Sequence, residues 1–491
     1  MTILKKTYRN LVLLTTALLL SSGFSACKDS EEAEPQGNSV SNYINLTLWI
    51  SSSEGGITRT PTGGEDGDGR EAGFERENKV KGITLILYKG SGIDDADAKV
   101  DYVDYFTVTE ESNLEGRDPR GTTYDYQASE TFRSEARYTT GDQKLADDFD
   151  LSGTYHVLIV ANKDVTTQCT KGTTLISAVR NLTTSSIYTN ATPGTPSASE
   201  QFVMTTERDA TINFASMAPV RKDGVKNGMV YRVMQPLLIE RLSARIDYNT
   251  KGSSYNSKRG GYEYNVGSTG DKFVVTRVIP FNLYNGTEYL FKRVVNAWPT
   301  TATTYFGDET TINYVADPST STKDNTSTMP EYRSPIDADM TTSTYRQVMA
   351  IARTTDGAHF TDASGNENII IAYPKENTLM PTSQLKKYAT GLAFVGDYYK
   401  NGNTGTTRDE IRTYYHFLRH QGENSTGVYQ AKKWSEITDD DVCGSIPPMN
   451  FGIVRNNIYR VDIEGFTPSG GIMLKIKVKK WDKFEHKPIY L

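Results

Sequence analysis

Cys27 is the residue whose surroundings point most clearly to a chemistry. A cationic start and an apolar run from Leu11 to Leu20 precede it, and the small residues Ser25 and Ala26 stand next to it. This run is too short to span a bilayer and has the length of a secretory signal. The small-small-cysteine ending is that of a lipobox, in which the thiol receives a lipid. The sequence predicts a lipoprotein signal peptide over 1–26, with ordinary cleavage beside an incidental cysteine as the alternative.

The segment that follows, residues 27–41, is acidic and contains Pro and Gly but few apolar side chains. Such a composition cannot bury enough apolar surface to fold, so we expect an acidic tether. Elsewhere in the sequence, no apolar stretch is long enough to cross a membrane. The chain is therefore predicted to be a membrane-anchored precursor whose remainder lies outside the cell.

Two sets of residues have types that could bind a metal. His416 and His420 are four apart, but their segment alternates like a strand, which would separate them by roughly 13 Å. No third ligand has a suitable spacing. Asp66 and Asp68 begin like a calcium loop but lack its later acidic ligand. We predict no metal site and no cofactor.

Catalysis and nucleic-acid binding are not indicated either. Nucleophile-elbow, phosphate-loop and dinucleotide motifs are absent, and five histidines leave little for acid–base work. The net charge is −6, without a basic face for nucleic acid. Cys169 and Cys443 are far apart in sequence, and we expect each to be a small buried side chain rather than part of a disulfide framework.

Short apolar or alternating runs between turn residues dominate the rest of the chain, as in antiparallel β-sandwiches. Thr, Tyr, Asn and Gly are abundant, and long amphipathic helices are missing. The predicted strands are 43–50, 83–88, 155–161, 272–281, 288–295, 368–373, 390–398, 413–419, 458–463 and 471–481. Residues 237–248 fit a strand or one short helix. We predict an all-β chain of two tandem sandwich domains, 42–235 and 236–491, with their boundary near Met234.

Four motifs in the second half resemble those of one family. They are KFVVTRVIPFNLYNGTEYLFKR at 272–293, YPKENTL at 373–379, YYHFLRH at 414–420 and GIVRNNIY at 452–459. With residues 238–246 and the lipoprotein start, their order and spacing resemble the fimbrillins of the Bacteroidales (type V pilins), and most of all the shaft subunits of short fimbriae.

This resemblance implies a cell-surface fimbrial subunit with two transthyretin-like, Greek-key β-sandwich domains. Such subunits reach the outer membrane as lipoproteins. An arginine-specific protease then removes the lipid together with the first strand, and the C-terminal strand of another copy fills the vacated groove. The implied partners are other copies of the chain, accessory fimbrial subunits and the protease, and the implied role is adhesion without enzymatic activity.

Carried onto this sequence, the scheme makes 43–50 the removable strand and Arg59 the processed residue. Ile44, Leu46, Leu48 and Ile50 share one face of that strand and would fill the groove. Arg59 stands just past it in a run that the composition predicts to be flexible. Arg70 and then Arg76 are the fallback sites, and a plain surface role for Arg59 is the alternative.

The C-terminus offers two candidate donor segments. One is the alternating strand with Ile472, Leu474, Ile476 and Val478, which could equally be the closing strand of its own domain. The other is the tail beyond Trp481, with Phe484, Ile489 and Leu491 as anchors. The sequence leaves this choice open, with a preference for the tail.

Three other roles are compatible with a tandem β-sandwich lipoprotein. An anchor subunit would keep its lipid, and a tip subunit would lack a useful donor tail. A surface glycan-binding lipoprotein would need exposed aromatic platforms, for which only four Trp are present beside the many Tyr.

Overall fold

The computed structural model describes residues 40–50, 70–72, 75–92, 95, 97–110, 137–187, 201–207, 209–284, 286–295, 304–305, 314–320, 323, 359–361, 365–419, 428–438, 441–442, 451–467 and 469–482. Within these ranges the chain is almost entirely β-structure, as predicted. The helices there are single turns: α1 (Glu75–Asn78), α2 (Ile176–Arg180), α3 (Leu385–Tyr388) and the 3-10 turns Thr166–Gln168, Phe214–Ser216 and Trp434–Glu436. No described helix is long and apolar enough to cross a membrane.

The strands of the first half are β1 (Ser41–Ile50), β2 (Arg70–Ala72), β3 (Gly82–Tyr88), β4 (Val100–Thr107), β5 (Thr109–Glu110), β6 (Arg137–Thr139), β7 (Gln143–Lys144), β8 (Thr154–Ala161), β9 (Thr183–Thr184), β10 (Met204–Thr206), β11 (Thr211–Asn213), β12 (Val220–Arg221) and β13 (Gly228–Arg241).

The strands of the second half are β14 (Arg245–Asn249), β15 (Ser254–Asn256), β16 (Gly261–Val266), β17 (Asp271–Phe281), β18 (Glu288–Tyr289), β19 (Arg293–Val295), β20 (Thr304–Tyr305), β21 (Tyr314–Val315), β22 (His359–Thr361), β23 (Glu367–Ala372), β24 (Gly391–Tyr399), β25 (Glu410–Phe417), β26 (Val428–Gln430), β27 (Asn457–Phe466) and β28 (Ile472–Asp482).

The first large sheet has the order β4-β3-β8-β10-β13-β1-β6-β5. Its buried strands are rich in β-branched and aliphatic residues, and every residue of β3 is buried. Neighbouring strands run antiparallel except for β1 and β13, which run parallel. A parallel pair needs a long crossover, so these two strands come from opposite ends of the first half of the chain.

Two further sheets are built from the second half, with β2 of the first half added to one of them. Their orders are β2-β28-β27-β14-β23-β22 and β15-β16-β17-β24-β25. Their apolar faces meet in one core that includes Tyr248, Phe273, Phe394, Val461 and Leu474. Two pairings in the first of these sheets, β14 with β27 and β2 with β28, are parallel.

The change from the first large sheet to the second falls between β13 and β14, at residues 242–244. The boundary predicted between 235 and 236 therefore lies inside β13. Residues 237–248 are the end of β13 and most of β14, so the helical option for this segment was wrong. The division into two domains remains a prediction.

Most predicted strands are present with ends shifted by one to three residues. The segment 288–295 differs: it is split into β18, which pairs with β9 of the first half, and β19, which belongs to a small separate sheet. The strand predicted at 413–419 is β25, and it ends at Phe417. Such breaks depend on partners remote in sequence and are not visible in local alternation.

Leu46 allows a test of the core around β1, because its side chain has no exposed surface. Leu46→Ala should lower the free energy of unfolding of the uncleaved chain by about 2–5 kcal/mol, through lost burial and the cavity left behind. Urea-induced unfolding measures this change. Val40→Ala, one residue before the strand and 50% exposed, is the control and should change stability by less than about 0.5 kcal/mol. Equal effects of the two substitutions would contradict the placement of β1 in the core.

Candidate functional site

β1 lies inside the first sheet and is paired along both edges. On one edge it runs parallel to β13, with pairs from Ser41–Gly228 to Ile50–Ile239. On the other edge it runs antiparallel to β6 and β7. The Thr140 N–H donates to the Leu46 carbonyl (3.1 Å), and the Leu145 N–H donates to that of Asn42 (2.8 Å). Removal of β1 would leave two strand edges facing each other.

The inward face of β1 carries the four aliphatic side chains singled out in the sequence. Ile44, Leu46, Leu48 and Ile50 each have no exposed surface, and all four belong to the core of the first sheet. Burial of such side chains is worth about 1.5–3 kcal/mol each, or about 6–12 kcal/mol together. β1 therefore supplies a large share of the apolar contacts on this side of the sheet.

Polar contacts fix the outward face of β1. Asn45 donates to Asp142 (3.0 Å) and accepts a hydrogen bond from the Thr139 hydroxyl (2.9 Å). Lys222 pairs with Asp142 (2.9 Å) and lies 4.7 Å from the ring centroid of Tyr43. These contacts hold β1 in one register, so the site is a specific slot and not a general apolar patch.

The next described strand after β1 belongs to a different sheet. Residues 51–69, with the predicted processing residue Arg59, lie outside the described residues, as do Cys27 and the rest of 1–39. Arg70 begins β2, which pairs in parallel with the end of β28 at Lys480–Asp482. The fallback residue Arg70 is thus part of a sheet.

Glu77 in α1 ties this segment to a buried network of charges. Its carboxylate accepts a hydrogen bond from Arg245 (3.1 Å) and one from the Tyr373 hydroxyl, and its carbonyl accepts one from Arg241 (3.0 Å). None of these side chains except Tyr373 has measurable exposure. Loss of one partner would leave a buried charge uncompensated, which makes α1 a firm attachment point.

The network continues through Asp247, which links two strands of the second sheet. Asp247 accepts hydrogen bonds from Arg245 (2.9 Å) in its own strand and from Arg460 (2.9 Å) in β27. The chain downstream of Arg70 is therefore held to the second half independently of β1. A cut at Arg59 or Arg70 would separate β1 and leave Glu77 in place, whereas a cut at Arg76 would fall directly beside Glu77.

The C-terminal strand β28 is a built-in part of its sheet. It pairs with β27 along its length and with β26 and β2 on its other edge. The four alternating side chains proposed as donors, Ile472, Leu474, Ile476 and Val478, are at most 7% exposed and pack in the core of the second half. Phe484, Ile489 and Leu491 follow β28 and lie outside the described residues.

A second set of buried charges joins the two halves. Lys292 pairs with Glu240 of β13 (2.7 Å), and Arg455 pairs with Glu376 (2.6 Å). Glu288 accepts a hydrogen bond from the Glu376 N–H (2.6 Å). Burial, more than any neighbouring charge, raises the pKa of Glu288 to about 8 and that of Glu240 to about 7.

The remaining cysteine and histidine side chains singled out in the sequence do not come together in a reactive or metal-binding cluster among the described residues. Cys169 is a free, buried thiol, and burial raises its pKa to about 11. Cys443 and His420 lie outside the described residues. His416 stacks on Tyr429, and loss of hydration, with the charge of Arg419, lowers its pKa to about 3. No cluster of three or more metal-ligating side chains occurs among the described residues.

Comparison with known proteins finds no matching family model and no matching curated protein. Among solved structures, the chain is similar to the tip fimbrial protein Mfa3 of Porphyromonas gingivalis, determined with a C-terminal truncation (10% identity, 90% of this chain and 100% of the other, TM-score 0.40). It is also similar to a fimbrilin of P. gingivalis (13% identity, 91% of this chain and 100% of the other, TM-score 0.35). A fimbrial assembly protein of Parabacteroides distasonis is similar as well (11% identity, 90% of this chain and 100% of the other, TM-score 0.34). The structural neighbours are thus Bacteroidales fimbrial proteins, at low sequence identity.

Sequence reasoning located β1 and its four core residues but missed the buried charges. Glu77 stands in the charged run Glu75–Asn78, which has no apolar periodicity and reads as solvent-exposed. Residues 455–457 (RNN) belong to one of the family-like motifs, but the sequence does not indicate that they are buried. Arg455 binds Glu376 and two carbonyls from 289–290, partners that the sequence does not indicate.

Glu288 should make stability fall as the pH rises. Because its folded pKa lies above the ordinary value near 4.5, its contribution is complete below about pH 4.5 and is lost as the pH passes about 8. Glu288→Gln keeps the oxygen that accepts from the Glu376 N–H and cannot ionise. Scanning calorimetry should show the melting temperature of the variant unchanged at pH 5 and higher than wild type by roughly 3 °C or more at pH 9.

Glu464→Gln is the matched control, since the Glu464 side chain is 29% exposed and its nearest cation, Lys251, is 3.9 Å away at the surface. It should leave the pH dependence of melting as in the wild type. A Glu288→Gln profile parallel to wild type from pH 5 to 9 would contradict a raised pKa at Glu288.

Proposed function

We propose that this chain is the precursor of a surface fimbrial subunit that polymerises by strand exchange. Lipid on Cys27 carries the precursor to the outer membrane. A cut at Arg59 by an arginine-specific protease then removes the lipid and β1 together. The C-terminal tail of another copy fills the vacated slot, and the chain has a structural role in adhesion without catalysis.

The observation that carries this proposal is the position of β1. β1 is paired on both edges within the first sheet, whereas the next described strand along the chain, β2, belongs to a different sheet. The next described segments, β2 and α1, are attached to the second half. Cleavage between Ile50 and Arg70 therefore frees β1 without cutting any other strand of its sheet.

The empty slot would have a strong tendency to bind another strand. Its two edges would expose unpaired N–H and C=O groups, and the sites of the four β1 side chains would lose about 6–12 kcal/mol of burial. Strand addition restores both: main-chain hydrogen bonds give affinity, and alternate side chains in the slots give register. An alternating apolar segment is the required occupant.

The tail beyond Asp482 suits the role of donor better than β28 does. Donation of Ile472–Val478 would uncover the core of the second half and break the pairing with β27. Donation of residues 483–491 would leave the pairs of β28 with β27, β26 and β2 intact. Phe484, Ile489 and Leu491 would then enter slots vacated by β1 side chains.

Other copies of the chain are the main partners in this scheme, with accessory fimbrial subunits at the ends of the polymer. The processing protease and the outer membrane are contacts of the precursor alone. A subunit of this kind needs no cofactor, metal or nucleic acid.

Arg59→Ala should block maturation. After treatment of the purified lipidated precursor with an arginine-specific protease, the wild type should lose its palmitate label and give a ladder on an unboiled denaturing gel. The variant should keep the label and remain a monomer, because β1 still fills the slot. Arg221→Ala, an exposed arginine of β12, should behave as the wild type.

Three outcomes separate the possibilities in this experiment. Cleavage of Arg59→Ala at Arg70 with a normal ladder would move the processing site to the fallback residue. Complete cleavage at Arg59 that yields only monomer would contradict the proposal that the processed chain polymerises. Absence of lipid on the wild type, with a Cys27→Ser variant as the unlabelled reference, would overturn the anchor.

The tail can be tested without change of length. Substitution of Phe484, Ile489 and Leu491 by Ser should abolish the ladder after cleavage, since the donor loses its apolar anchors, while the melting temperature of the precursor stays unchanged. Substitution of the polar tail residues Lys483, Glu485 and Lys487 by Ser should leave the ladder intact. A ladder that survives the apolar substitutions would exclude the tail as donor.

A further inference from the structure

The β24–β25 loop at 400–409 folds back along β16. Together with the two turns that flank this strand, the β15–β16 turn at 257–260 and the β16–β17 turn at 267–270, it lines a cleft of about 420 Å³. We call this space the turn cleft. Its volume falls in the range of small-molecule sites, and nothing in the strand-exchange scheme uses it.

Arg259 holds the walls of the turn cleft together. Its guanidinium donates to the Asn403 carbonyl (2.7 Å), to the Gly405 carbonyl (3.0 Å) and to Glu263 (2.9 Å). It also stacks 3.8 Å from the ring centroid of Tyr399, and its side chain is only 7% exposed. A buried arginine that bridges two turns in this way makes the cleft preformed.

Gly270 allows the β16–β17 turn and the β24–β25 loop to approach each other closely. Its φ of +84° is favourable for glycine, and a Cβ at this position would lie 2.7 Å from the side chain of Asn401. The Asn401 N–H in turn donates to Asp271 (2.7 Å). The β16–β17 turn and the β24–β25 loop are therefore in close and specific contact.

The carboxylates next to the cleft accept hydrogen bonds from residues in and beside the β24–β25 loop. Asp271 also accepts a hydrogen bond from the Tyr398 hydroxyl. Asp409 accepts from the Lys400 N–H (2.8 Å) and from the Asn403 side chain (2.8 Å). These hydrogen bonds lower the pKa of both carboxyl groups, so they remain ionised and engaged within the loop.

The charges that line the cleft itself are mainly positive. Lys258, Arg259 and Lys272 line it against a single acid, Glu263. Lys258 makes no ion pair with any described residue, whereas the Lys272 ammonium donates to Asn265 and is 3.9 Å from Glu263. The remaining polar lining consists of amide and hydroxyl side chains. Asn256 and Asn403 are engaged with Glu263 and Asp409, and the other three are Asn401, Thr404 and Thr406.

We propose that the turn cleft binds an acidic saccharide unit, a sugar that carries a carboxylate or a sulfate. The lysines provide the countercharge for the anionic group. The side chains of Asn401, Thr404 and Thr406 can both donate to and accept from sugar hydroxyls. A bare inorganic anion would occupy a small part of the space and leave most of these groups unused. The subunit would then carry a glycan-binding site of its own, separate from the strand slot.

Isothermal titration calorimetry on the full-length chain tests this with 3′-sialyllactose as the carboxylate probe, a heparin-derived disaccharide as the sulfate probe, and lactose as the neutral one. At least one acidic probe should bind about tenfold or more tightly than lactose, and added salt should weaken that binding. The acidic probe that binds identifies the anionic group. Absence of binding by either acidic probe, or equal binding of lactose, would overturn the proposal. So would inorganic sulfate that binds as tightly as the better saccharide.

The double variant Lys258→Ala/Lys272→Ala should weaken the binding of the acidic probe about tenfold or more, with the melting temperature unchanged because both side chains lie at the surface of the cleft. The control Lys99→Ala/Lys226→Ala removes two exposed lysines outside the cleft and has the same net charge. An equal loss of affinity in the two double variants would show that binding depends on net charge alone, and would contradict a binding site in the turn cleft. Binding unaffected by Lys258→Ala/Lys272→Ala would place the ligand elsewhere and overturn it as well.

Discussion

The pairing of β1 with β13 on one edge and with β6 and β7 on the other is the interaction on which the rest of the arrangement depends. A strand at this position completes both the hydrogen bonding and the apolar core of the first sheet. The next described strand along the chain, β2, belongs to another sheet, so within the first sheet β1 is held by hydrogen bonds and side-chain packing. These two properties, strong binding and separate attachment, are what a replaceable strand requires.

Buried ion pairs fix the position of the chain segment that follows β1. Arg241, Arg245, Arg455 and Arg460 are almost completely buried and are held by carboxylates or carbonyls from both halves. The desolvation of these charges is costly, so their contribution to net stability is modest. Their geometric demands are strict, however, and they fix the segment around Glu77 in one place. This attachment does not involve β1.

The sequence was informative where local pattern decides the structure. Alternation located β1 and its inward residues, and apolar runs located β3, β8, β17 and β27 within a few residues. It was uninformative where distant partners decide. The parallel partner of β1 lies nearly 190 residues away, as the pairing of Ser41 with Gly228 shows. Glu77 became a buried ligand of Arg245 only because tertiary contacts override the polarity of its surroundings. The turn cleft, formed by three separate turns, has no local signature at all.

The two ends of the proposed exchange lie on different sheets of one chain. β2 runs beside the end of β28, so the stub that a cut at Arg59 would leave and the tail beyond Asp482 both emerge at the second sheet. The slot of β1 belongs to the first sheet. If the tail of one subunit fills the slot of the next, donor and acceptor surfaces are different parts of the molecule. A contact of this heterologous kind builds an open filament whenever its rotation does not close a ring. In the proposed exchange, the separation of slot and tail lets each subunit accept a strand from one neighbour and donate a strand to another, which is the connectivity that a fibre requires.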